Sequence, residues 1–291
     1  MIDGFEEFDI QVPGATIRGR RGGSGPPVLL LHGFPESHVM WHRVGPALAG
    51  SFSVIATDLS GFGDSTSDGE YSMRALARHQ VDVMKALGYD AFAVVGHDRG
   101  ARCAYRMALD HPEAVTKLAV LDIVPTLEVF ERADKDFALG YWVWSFLTAP
   151  IAETLIAGAP DEFVNHLLDT WSADNAFPPE IRSEYARHFR DPATVHAICE
   201  EYRAAATTDC ADDAADRGVR RITCPVLALW DRSGAVAQWY GNPLDIWRTW
   251  ADNVSGTPVN AGHFIPEEAP SETLAHLLPF LGDTSVTHRE G

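Results

Sequence analysis

A chain of 291 residues with 46% hydrophobic content is long enough to bury a large core in one or two domains. Its formal net charge of −18 argues against nucleic acid or an anionic membrane as partner. No apolar run approaches the ~18–20 residues of a membrane span, and the acidic start Met1-Ile2-Asp3-Gly4-Phe5-Glu6-Glu7 lacks the basic and apolar regions of a signal peptide.

Two β-rich segments, Phe5–Val12 and Ala15–Arg21, open the chain. Pro27–His32 then reads as a short apolar strand of the kind buried in a parallel sheet. A helical stretch over Val39–Ala49 precedes a strand, Ser53–Asp58, which runs into the glycine-rich loop Leu59–Ser65. Ser72–Leu87 is helical, with Ala75, Leu76, His79, Val83 and Leu87 on one stripe and Gly88 at its end. The apolar run Ala91–Val95, a helix from Arg99 to Asp110 and a strand over Lys117–Val124 continue the alternation that marks an α/β fold. From Thr126 to Gly218 the pattern is helical and rich in aromatics, among them Tyr141, Trp142, Trp144, Trp171 and Tyr202. Strands return at Cys224–Trp230 and Thr257–Asn260, before a final helix over Glu267–Leu281 and a polar tail after Gly282 expected to fray. Residues 1–125 and 219–291 are therefore expected to form a sheet domain and 126–218 a helical cap. Cys103, Cys199, Cys210 and Cys224 show no C-x-x-C pairing, so free thiols in a reducing cytoplasm and no metal site are expected.

The chemistry begins at Gly96-His97-Asp98-Arg99-Gly100, after an apolar strand. This has the form of a nucleophile elbow, G-x-S-x-G, with aspartate in the serine position. A carboxylate is already ionised at neutral pH and can attack carbon directly, so displacement at an alkyl carbon is expected rather than ordinary ester hydrolysis. His32-Gly33-Phe34-Pro35 follows a strand and fits an oxyanion-hole turn, in which the Phe34 N–H would join that of Arg99. Gly262-His263-Phe264 falls late in the chain, where a catalytic histidine would lie. Asp122 and Asp231 each end a strand and either could orient His263; Asp122 is favoured, and Asp231 also fits a turn cap.

Arg99 and Arg102 lie three residues apart in the first turn of the elbow helix, where each opposes the helix dipole by about 0.3–1 kcal/mol. Asp98 or a substrate carboxylate would offset them. Only Lys85, Lys117 and Lys135 are lysines, so an anion site must be built from arginine. Arg106, with Asp110 four residues on, reads as a plain helix pair.

The string Gly96-His97-Asp98-Arg99-Gly100-Ala101-Arg102, with Tyr105-Arg106, resembles the haloacetate dehalogenases, including fluoroacetate dehalogenase. The likeness extends through His32–Pro35, Asp58-Leu59, Gly61–Ser65, Leu121-Asp122-Ile123 and Gly262-His263-Phe264. It implies an α/β-hydrolase fold with a mostly parallel eight-stranded sheet, helices on both faces and a cap insertion, and it suggests a homodimer. It further implies Asp98 as nucleophile, Asp122 as acid partner, His263 as base, and Arg99 with Arg102 as the grip on a small anionic organohalide, without metal or cofactor. That family cradles halide with a cap histidine, a tryptophan and a tyrosine. Trp144 and Tyr202 match the last two, whereas Val143 stands in the place of the histidine. A lost hydrogen bond to a charged group, about 1.5–3 kcal/mol, should weaken fluoride release most. An epoxide hydrolase, with Tyr202 and Tyr141 as proton donors, shares the aspartate elbow but gives the arginines nothing to bind. A haloalkane dehalogenase usually carries tryptophan after its nucleophile, and a non-catalytic receptor would have lost part of the triad.

Overall fold

β1 (Glu6–Val12) and β2 (Ala15–Gly22) form an antiparallel hairpin that leads into the sheet. β3 (Pro27–Leu31), β4 (Ser53–Thr57), the short β5 (Thr66–Ser67), β6 (Phe92–His97), β7 (Val115–Leu121), β8 (Val226–Asp231) and β9 (Val254–Val259) follow. Their order is β1-β2-β4-β3-β6-β7-β8-β9, with β5 paired to β2. Every pairing from β4 to β9 is parallel. The computed structural model describes residues 2–173 and 176–283, so the tail expected to fray lies outside them apart from Asp283. The sheet has nine strands rather than eight; the addition is β5, two residues paired antiparallel with the start of β2. It is too short to show as a hydrophobic pattern.

β3, β6, β7 and β8 are near-continuous apolar runs, with every residue of β6 and β8 buried, because helices cover both faces. The principal covering helices before β7 are α1 (Met73–Ala86), whose N-terminus is capped by Ser72, and α2 (Asp98–Asp110). The helix expected over Val39–Ala49 is instead a 3₁₀ turn, His38–His42, and one α-turn, Gly45–Leu48; Pro46 fits the start of that second turn. The final helix is likewise split, into Ile265–Glu268 and Pro270–Gly282, because Pro270 cannot donate to continue the first.

Between β7 and β8 the described chain contains helices and no strand. They are α3 (Thr126–Glu131), α4 (Lys135–Gly140), α5 (Trp142–Thr148), α6 (Ala152–Gly158), α7 (Pro160–Trp171), α8 (Pro179–His188), α9 (Pro192–Ala204), a π-helical turn Ala205–Asp209, and α10 (Cys210–Asp216). Among the described residues no helix is long and apolar enough to cross a membrane.

The turns that matter lie at the carboxyl ends of β3, β6, β7, β8 and β9, the usual ligand side of a parallel sheet. His32 ties the turn after β3 to the one after β4. Its Nδ1–H donates to the Gly33 carbonyl at 2.7 Å and its Nε2 accepts from the Leu59 N–H at 3.0 Å. Burial lowers this imidazole to about 4, so it stays neutral and can play both parts. At the β6–α2 turn, a Cβ on Gly100 would overlap the carbonyl oxygens of Leu31 and His32, and one on Gly96 the backbone of Gly100 and Ala101. Gly100→Ala is therefore expected to destabilise the protein by about 1–3 kcal/mol. A lowered denaturant midpoint without a change in slope would be the readout.

Candidate active site

Asp98 is the first residue of α2 and sits in left-handed backbone, φ +43°, immediately after β6. Aspartate tolerates that region better than most side chains, and the sharp turn lifts its carboxylate to the strand-end face. The Phe34 N–H donates to Asp98 Oδ2 at 3.2 Å. Burial works against ionisation here, but the charges of His263, Arg102, Arg99 and His97 outweigh it and hold the carboxyl below the usual range. A helix N-terminus favours the same charge.

Asp122 follows β7, also in left-handed backbone at φ +55°, and its Oδ2 accepts from His263 Nδ1–H at 2.7 Å. Its other oxygen accepts from the Asp231 N–H at 3.0 Å. The Asp231 carboxylate turns instead onto Ser233, accepting from its N–H at 3.0 Å. Of the two aspartates left open by the sequence, Asp122 thus touches the imidazole and Asp231 caps the turn.

Two carboxylates that sequence reasoning missed hold the His263 loop. Glu268 accepts from the N–H groups of Gly262, Phe264 and Ala173, at 3.0, 2.9 and 2.6 Å. Glu36 bonds His97 Nδ1 at 2.9 Å, and His97 Nε2 reaches the His263 carbonyl at 2.8 Å. Glu36 and the adjacent Glu267 are both buried and both pushed up in pKa by that burial. Their positions carry no periodic signal; Glu36 directly follows the motif His32-Gly33-Phe34-Pro35 but lies outside it. The Trp171 ring stands edge-on to His263, 5.7 Å between centroids.

Arg99 and Arg102 are both buried. Arg99 Nε donates to Glu201 Oε1 at 2.9 Å, and its Nη2 bonds the same oxygen. Its guanidinium lies 4.4 Å from the Tyr202 ring centroid and 5.2 Å from that of Trp144. Arg102 Nη1 donates to Val124 O and Thr126 Oγ1, at 3.0 and 3.2 Å, and its guanidinium lies 4.6 Å from the same Trp144 ring. Among the described residues Arg99 Nη1 and Arg102 Nε have no partner. Glu201 escaped sequence reasoning although it directly precedes Tyr202. Arg106 proves more than a helix pair, since it bonds Asp216 as well as Asp110.

Val143 is fully buried beside Trp144 on α5. Tyr141 stacks on Trp144 with 6.3 Å between centroids, and Tyr202 meets Trp144 edge-on at 5.9 Å. Burial, followed by the nearby carboxylates, pushes both phenols far above their ordinary range, so they stay protonated donors. A cleft of about 410 Å³ opens onto His263 and Asp122 between Tyr141, Trp171 and Trp239. Asp98 does not line this cleft, but Tyr141 is close enough to both carboxylates to feel their charge.

Two clusters, Asp64 with Glu184 and His188, and Glu153 with His196 and Glu200, bring three possible metal ligands together. In each an arginine already bonds the carboxylates: Arg187 in the first and Arg203 in the second. The described cysteines are free thiols.

A family model described as alpha/beta hydrolase fold matches residues 26–270. The chain is 41% identical to a fluoroacetate dehalogenase of Burkholderia sp over 97% of its own length and 96% of the relative's. It is 32% identical to a soluble epoxide hydrolase of Corynebacterium sp. over 91% of itself and 95% of that protein. The crystal structure of ALR0039 from Nostoc sp PCC 7120 superposes with a TM-score of 0.94 at 46% identity, covering 97% and 99% of the two chains.

The imidazole geometry predicts a low-field proton resonance from His263 Nδ1–H bound to Asp122. It should vanish in Asp122→Asn, whose amide can present a donor, and persist in Asp231→Asn. The reverse pattern would assign the contact to the other aspartate.

Proposed function

The chain belongs to the haloacetate dehalogenase type of the α/β-hydrolase family, and from that premise we propose that it hydrolyses short 2-haloacids to 2-hydroxy acids. The supporting observation is the pair of buried guanidinium N–H groups without a hydrogen-bond partner among the described residues, Arg99 Nη1 and Arg102 Nε, at the Trp144 ring near an ionised Asp98. A buried charged donor without a partner is costly, and a substrate carboxylate would supply the missing acceptors.

In this reading an Asp98 oxygen attacks the halogen-bearing carbon while the carbon–halogen electron pair leaves with the halide, past Trp144 and Tyr202. An ester then links Asp98 to the substrate carbon. His263, oriented by Asp122, takes a proton from water, and the hydroxide adds to the ester carbonyl. The N–H groups of Phe34 and Arg99 serve as the oxyanion hole for the tetrahedral intermediate. Collapse expels the alkoxide, which recovers the proton from His263, and Asp98 re-ionises. One water is consumed and one halide and one proton are released. The steps need only side chains and water. The helices of 126–218 act as the cap over the sheet domain, and a cytoplasmic homodimer completes the reading.

An epoxide hydrolase is the second reading, favoured by Tyr141 and Tyr202, both protonated and within the field of Asp98. It offers no acceptor to Arg99 Nη1 and Arg102 Nε, which have none among the described residues. Halide release and diol formation measured side by side separate the two.

Replacing His263 with Asn should stop the second half-reaction, so mass spectrometry after chloroacetate treatment should find the carboxymethyl ester on Asp98. An unmodified Asp98 peptide would overturn the mechanism. Val143→His should raise fluoride release from fluoroacetate about 10- to 100-fold, by restoring a donor worth about 1.5–3 kcal/mol. An unchanged rate would count against the halide cradle.

A further inference from the structure

The arginine pair is not a free cation pair. Glu201, fully buried on α9, takes two N–H groups of Arg99 on its Oε1, and its Oε2 has no hydrogen-bond partner among the described residues. Asp98, Glu201, Arg99 and Arg102, all buried, thus bring two negative and two positive charges together. That set is balanced before any substrate arrives. A carboxylate entering beside the arginines would leave one uncompensated buried negative charge, an expensive state in a poorly polarisable interior.

We propose that Glu201 is a positioning and specificity residue that sets the charge of the arginine pair and takes up one proton as a substrate carboxylate binds. Glu201 Oε2 is the atom free to receive it, while Oε1 keeps its bonds to Arg99. The inference rests on the haloacid reading of the site. It also explains why a fully buried acid stands against a residue meant to hold an anion: the ion pair keeps the empty pocket neutral, and the proton keeps the filled one neutral. A dianionic substrate would exceed what one such proton can balance, so the site should select monocarboxylates.

The groups facing Glu201 agree in direction. From α2 these are Asp98, Arg99, Arg102 and Cys103; from its own helix Tyr202; from the π-helical turn Asp209. Burial raises the Glu201 carboxyl above its usual range and Asp98 raises it further, against the pull of Arg99 and Arg102. Another anion must raise it again. The pKa with ligand bound therefore exceeds that without. Anion affinity is full below the free-state value and falls by up to tenfold per pH unit between the two. Asp209, pushed up to about 7 by burial and then by Glu201, is the competing proton acceptor.

Sodium acetate, which carries no leaving group, is the probe. Calorimetric titration in buffers of different ionisation enthalpy, repeated across pH, counts the protons taken up. The wild-type protein should show a pH interval in which close to one proton enters per acetate bound, with Kd rising up to tenfold per pH unit across it. Glu201→Gln should lose that interval and bind acetate at least tenfold more tightly than wild type at its alkaline end. Acetate binding by wild type without proton uptake would overturn the proposal, as would uptake persisting in Glu201→Gln or acetate affinity lost in that variant. An infrared difference spectrum of the wild-type protein and of Asp209→Asn covers the case in which Glu201→Gln does not fold. A new protonated-carboxyl band on acetate binding must appear in both, and its absence from either sinks the proposal. If halide release from chloroacetate stands while proton uptake is absent, only this inference falls; if acetate does not bind and no halide is released, the haloacid reading fails with it.

Discussion

An ionised carboxylate buried at a strand-to-helix turn is the condition on which the remaining structure depends. Asp98 loses most of its water, and that loss alone would neutralise it. The surrounding groups act together in the opposite sense: an N–H from the Phe34 turn, the amino end of α2, the His263 imidazole and two guanidinium groups. They come from three parts of the chain, the Phe34 turn, α2 with its own Arg99 and Arg102, and the His263 loop. The sheet order explains how they meet, since β3, β6, β7 and β9 all end on the same face.

The alternation of strands and helices was legible because the parallel core is buried on both sides and reads as apolar runs with turns between them. The elbow was legible because its geometry excludes side chains at Gly96 and Gly100, which leaves a printable spacing. What the sequence concealed were partnerships across long separations. Glu201 meets Arg99 over 102 positions and Glu36 meets His97 over 61. No periodicity connects such residues, and a lone glutamate on an amphipathic helix is ordinarily a solvated one. The choice between Asp122 and Asp231 was open for a related reason, because both end strands next to His263 and only the backbone turn at Asp122 decides which carboxylate faces the ring.

The helices between β7 and β8 do more than cover a finished site. Glu201, Tyr202 and Trp144 lie on them and Tyr141 joins two of them, and these residues bring charge, aromatic rings and hydrogen-bond donors to Arg99 and Arg102. Polar links fasten the two parts on several sides. Tyr105 bonds Asp213 at 2.8 Å, Tyr185 bonds Glu267 at 3.0 Å, and Arg187 holds Asp64 through two nitrogens at 2.9 and 2.6 Å. The first two are buried and the third is partly exposed, so salt should weaken the Arg187 link far more than the others.

These links bear on how the site can work. If the helices swung away as a rigid lid, Arg99 would leave Glu201 and the Tyr202 and Trp144 rings together, stranding a buried cation and a buried carboxylate at once. Breaking one side of such a pair typically costs about 3–5 kcal/mol. A small substrate does not require that motion, because a cleft of about 410 Å³ already reaches His263 between Tyr141, Trp171 and Trp239. Tyr141 lines that cleft, lies within the field of both Asp98 and Asp122, and takes no part in the ion pair. Access that leaves the charged network intact is therefore less costly than a rigid swing of the helices.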